Sequence, residues 1–109
     1  MEVYVHVPLF PVAERQDLNG SGLLRYIRCS YWELYDAFGE PHFGPSADGK
    51  IQAEWAFRVG GEHSDLILTI YDYKEDAPKF EVEGWHIGGR HLDPVMAVEI
   101  VNHAIGLSA

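Results

Sequence analysis

Two short stretches hold the side chains best equipped to grip a small molecule. In WHIGGR, residues 85–90, an indole, an imidazole and a guanidinium stand close together around two glycines. In TIYDYK, residues 69–74, two phenols are followed by an ammonium. Aromatic faces stack on nucleobases, and a cation beside a turn near a helix start meets phosphate. Tyr71, Tyr73, Trp85, His86 and Arg90 therefore form the candidate ligand-binding set. Each has a plainer role available. Trp85 and Ile87 can enter a core as strand residues, and the two tyrosines can pair across a sheet.

Other chemistries find less support. The chain has six histidines but one cysteine, Cys29. His86 and His91 flank the GGR turn, yet neither H-x-x-x-H nor H-E-x-x-H occurs, so no metal ligand is nominated. No G-x-S-x-G elbow joins a serine to a histidine, and no catalytic residue is nominated either. NGSG lacks the third glycine of a dinucleotide fingerprint, and no G-K-S/T follows a glycine-rich loop, so no cofactor is expected. Glu81 and Glu83 are expected on one face of a strand, where mutual repulsion can raise a carboxyl pKa, although a solvated outer face is the commoner setting for such a pair.

Size and charge narrow the partners. A chain of 109 residues with 47% hydrophobic content is expected to fold as a single domain, 1–109. Eight Lys and Arg against 17 Asp and Glu leave a formal charge of −9, which excludes direct nucleic-acid binding through a broad basic face. The opening residues MEVYVHVPLF lack the basic start and long apolar stretch of a secretory signal, and the lone cysteine has no internal partner. A cytoplasmic location is expected. No apolar run approaches the roughly 20 residues that cross a bilayer, so no membrane role is expected.

The elements that must carry these residues follow from periodicity. Val3, Val5 and Val7 alternate with Tyr4 and His6 in a strand that Pro8 ends. After the turn NGSG, residues 23–29 form a second strand, antiparallel to the first, with Leu24 and Tyr26 opposite Leu23, Ile27 and Cys29. Ser30 and Glu33 have the spacing of a capping box, and Tyr31, Leu34, Tyr35 and Phe38 make one apolar stripe before Gly39. Residues 51–59 place Ile51, Ala53, Trp55, Phe57 and Val59 on one strand face. Residues 66–74 carry bulk on both faces, so that strand is either central or in contact with a second subunit, which makes a homo-oligomer an option. In residues 80–88, an extra residue at Gly84 is needed to keep Phe80, Val82, Trp85 and Ile87 on one face, which predicts a bulge. Asp93 and Pro94 start a last helix that Gly106 caps near Ile105. The economical assembly is a two-layer α+β fold, with a five-stranded antiparallel sheet backed by two helices in the order β-β-α-β-β-β-α.

In order, NGSGLLRYI, SYWELYDAFGEP, DGKIQAEW, TIYDYK and WHIGG followed by a short helix resemble a family of small bacteriophage- and prophage-encoded proteins over residues 19 to about 105. The resemblance implies a protein at work in the infected bacterial cell. Similar small phage α+β proteins, such as those that block the Thoeris defence system, bind a cyclic nucleotide signal without cleaving it; no ligand residue is carried over from them. The expectation is a non-enzymatic anti-defence protein whose partner is a host immune signalling nucleotide or a host defence protein. Three alternatives differ in kind. One is an acidic nucleic-acid mimic that occupies a CRISPR-type or other anti-phage nuclease through Asp72, Glu75, Asp76, Glu81 and Glu83. Another is a metal-dependent enzyme that degrades the nucleotide. The third is a structural or assembly protein of the virion.

Overall fold

The computed structural model describes residues 7–108. Among them are five strands, β1 (Leu9–Pro11), β2 (Gly22–Arg28), β3 (Glu54–Val59), β4 (Ile67–Tyr71) and β5 (Gly84–Arg90), and two α-helices, α1 (Tyr31–Phe38) and α2 (Pro94–Ser108). The strands form one sheet in the order β1-β3-β4-β5-β2, with every neighbouring pair antiparallel. This is an α+β fold, and its helices share a core with one face of the sheet.

That face is built by alternation. Trp55, Phe57 and Val59 of β3, Leu68 and Ile70 of β4, and Trp85 and Ile87 of β5 are all buried, and they pack with Tyr31 and Leu34 of α1 and Ala97, Ile100 and Val101 of α2. Fully burying side chains of this size contributes roughly 1.5–3 kcal/mol each, so this layer is the main source of stability. The capping box starts α1 as expected: Glu33 N–H donates to Ser30 Oγ (3.1 Å), and Ser30 N–H donates to Glu33 Oε1 (2.9 Å). Gly39, with φ of 80°, ends it, and its N–H donates to Tyr35 O. In α2, Asp93 Oδ1 accepts from the amides of Val95 and Met96. This helix continues through Gly106 to Ser108, so Gly106 is not its cap.

Several expectations need correcting. Of the strand expected at Val3–Val7, all but Val7 lies outside the described residues, and Val7 precedes β1. The expected pairing of β2 with that strand likewise lies outside the described residues; among these, β2 pairs with β5 at the far edge of the sheet, while β1 pairs with β3. The reason is the segment 12–21, whose Val12 and Leu18 bury themselves with Ala56 and Ile67 and so draw the chain across the sheet like a strap. β3 begins at Glu54 rather than residue 51, because the amides of Gln52 and Ala53 donate to Asp72 Oδ1 (2.8 and 3.0 Å). No bulge forms at Gly84. A 3-10 turn at Lys79–Glu81 precedes β5, leaving Val82, Trp85 and Ile87 in the core while Phe80 stays half exposed and stacks on Trp32. Glu81 and Glu83 therefore lie ahead of β5 and do not share one of its faces. The register break falls in β2 instead, between Leu23 and Arg25. Both faces of β4 are covered within the chain, by the helices on one side and in part by the strap on the other.

Candidate functional site

The face of the sheet turned away from the helices is only half covered. Strand register sets its rows: Glu54, Tyr71, His86 and Tyr26 lie side by side, then Ala56, Thr69, Gly88 and Leu23, then Arg58, Ile67 and Arg90. Toward β1 the strap and Phe43 close over Ala56 and Ile67 in a second, smaller core. Toward β2 nothing among the described residues covers the sheet, and Leu23, Tyr26, Tyr71, Tyr73 and His86 line a groove of about 400 Å³.

His86 is the hub of this groove. Its ring centroid lies 4.8 Å from that of Tyr26, 5.2 Å from Tyr71 and 5.9 Å from Tyr73, each ring inclined to the imidazole by 56–65°. Tyr26 is 67% exposed and Tyr73 38%, so two of the three phenol faces are open to a ligand. A methyl group at Gly88 would lie 2.7 Å from Thr69 Oγ1 and 3.1 Å from Tyr71 Cε1. The bare glycine therefore provides the room in which the Tyr71 ring lies against β5. Burial holds the His86 imidazole below its ordinary value, opposed by the negative charges of Glu75 and Asp72. The Tyr71 phenol is raised, first by burial and then by Glu54 and the neighbouring tyrosines. Near neutral pH the groove accordingly presents an uncharged imidazole and a protonated Tyr71 phenol, both of which can donate and accept hydrogen bonds.

Two buried carboxylates border it. Glu54, beside Tyr71 in the first row, is raised by burial, with Arg15 pulling it down and Asp72 adding to the rise; Arg15 Nε lies 3.6 Å from its Oε1. Asp72, between the two groove tyrosines in sequence, uses Oδ1 for the Gln52 and Ala53 amides, while its buried Oδ2 has no hydrogen-bond partner.

Of the five residues nominated from sequence, Tyr71, Tyr73 and His86 come together in the groove. Trp85 does not join them. It faces the helices, fully buried, with its ring 5.6 Å from Trp55 and Nε1 donating to Val82 O. Arg90 is on the open face, but its Nη1 donates to Asp17 O (3.1 Å) and Asn19 O (2.8 Å), which fastens the strap. Tyr26 and Leu23 were missed. Strict alternation sets them on opposite faces, and the register break brings both into the groove while Leu24 and Ile27 pack against the main core. Asp72 is buried, which removes it from any acidic surface offered to a nuclease. Among the described residues no three His, Cys, Asp or Glu side chains gather as a metal site, and no helix is long and apolar enough to cross a membrane.

No family model, no curated protein and no solved structure matches this chain.

Proposed function

We propose that this protein captures a ligand without transforming it, holding a planar ring in the groove of Tyr26, Tyr71, Tyr73 and His86. The observation that carries the reading is the convergence of three tyrosine rings on one uncharged histidine over the uncovered half of the sheet. A volume of about 400 Å³ is within the range of roughly 300–1,000 Å³ usual for small-molecule sites. Stacking on an aromatic side chain contributes about 1–3 kcal/mol per base, enough for several rings together to hold a nucleobase. Capture needs affinity alone, which the ring contacts of the groove can supply.

In this reading the ligand is a nucleotide-like immune signal and the protein is a phage-encoded anti-defence factor, as the motif resemblance implies. The test is calorimetric titration with nucleosides and with linear and cyclic nucleotides, then heating of the complex and chromatography of the released ligand. Saturable binding and recovery of unaltered ligand are expected. Tyr26→Ala, at an exposed position, should weaken binding by roughly tenfold or more. Release of a chemically altered product, or no binding by any member of the panel, would overturn the proposal.

A further inference from the structure

The charges around the groove are unevenly placed, and their placement narrows what can sit there. Three guanidiniums of the open face, those of Arg15, Arg58 and Arg90, belong to its covered half and are held by acceptors of the chain itself; a fourth, Arg28, two residues beyond Tyr26 in β2, lies outside the groove lining, in a pocket it shares with Glu33 and Glu83. Arg58 Nη1 donates to Ser64 O and Nη2 lies 3.5 Å from Asp17 Oδ2. Arg90 holds the Asp17 and Asn19 carbonyls, and Arg15 donates to Gly44 O beside its ion pair with Glu54. Lys74 is the cation at the groove rim; its Nζ sits 5.3 Å from the Tyr73 ring centroid, on backbone held at φ 55°.

Negative charge also reaches the groove. Glu75 and Asp72 both act on His86, Glu54 neighbours Tyr71 with Arg15 as its counter-ion, and the whole chain carries −9. Like charges repel strongly where solvent is partly excluded, so a phosphate drawn into the groove is opposed by Glu75 and Asp72, with Lys74 as the cation at its rim. A ring edge bearing N–H groups meets the reverse. It finds phenol and imidazole acceptors, nearby carboxylates, and a local potential that favours the positive end of each N–H dipole.

We infer that the groove recognises the base end of its ligand, an uncharged planar ring with N–H donors, and leaves any phosphate outside in solvent, so that a nucleoside carries the recognition. This rests on the capture reading and specifies its ligand class. It also assigns Glu75 and the Asp72–Tyr73 segment a part in selectivity, by excluding anions from the groove.

The test compares the full chain's affinities for the four common ribonucleosides, their 5′-monophosphates and a cyclic dinucleotide at low and high salt. At least one nucleoside should bind within about threefold of its monophosphate, with an affinity that salt leaves unchanged because no ion pair forms. Glu75→Lys should tighten the monophosphate by about threefold or more and leave the nucleoside unchanged. If the phosphorylated ligands bind more than about tenfold tighter than every nucleoside and lose that advantage at high salt, capture stands and the inference fails. If no compound binds at all, the capture reading fails first and takes the inference with it.

Discussion

At the scale of single residues, Gly88 and His42 each do something a larger or less polar side chain would not. Gly88→Ala forces a methyl group against Thr69, the Gly22 carbonyl and the Tyr71 ring. Overpacking of this kind costs about 1–3 kcal/mol. The expected outcome is a lower urea midpoint together with weaker ligand binding, since Tyr71 is displaced. His42 Nδ1 accepts from the Ala56 amide at 2.9 Å, where β1 no longer reaches the edge of β3. His42→Ala leaves that buried amide unpaired, at a cost of about 1–3 kcal/mol. Burial holds the His42 imidazole below its ordinary value of 6.5. A base whose folded pKa is depressed stabilises the fold above the unfolded value and loses that contribution as pH falls toward the folded one. The stability gap between wild type and His42→Ala, measured by denaturation at a series of pH values, should therefore shrink below about pH 6.5.

At the scale of elements, local signals were legible and long-range ones were not. Ser30 and Glu33 announced α1 because both partners of the capping box lie within one turn of chain. Ser30→Ala should destabilise the protein by about 1 kcal/mol, read as a lower thermal midpoint, with the loss concentrated in this eight-residue helix. The run β3-β4-β5 was likewise legible, since alternation and turns specify neighbouring antiparallel strands. The partner of β2 was not, because nothing within residues 22–28 says that the strap will carry them past three strands to β5. The same gap hid half of the groove. Tyr71, Tyr73 and His86 stood out by type and spacing, whereas Tyr26 and Leu23 depend on a register irregularity one residue wide. Trp85 was misjudged because an indole suits a core as well as a ligand, and only strand direction decides between them.

At the scale of the whole molecule, the two faces of the sheet divide the labour. One carries the apolar layer that holds the fold together, and the other carries a small lid over one half and a bare aromatic surface over the other. The lid depends on partners far away in sequence: Arg90 reaches back 73 residues to Asp17 and 71 to Asn19. Closing so long a loop is entropically unfavourable until β5 is in position. The folding order that follows has the β3-β4-β5 meander forming first and segment 12–21 latching afterwards, so the latch should also be the first part to release. In hydrogen exchange under native conditions, the Val12 and Ser21 amides are expected to exchange through local opening well before those of Ile70 and Ile87. A protein built this way can loosen its latch and bare the arginine-rich half of its face while the helix-backed half stays folded.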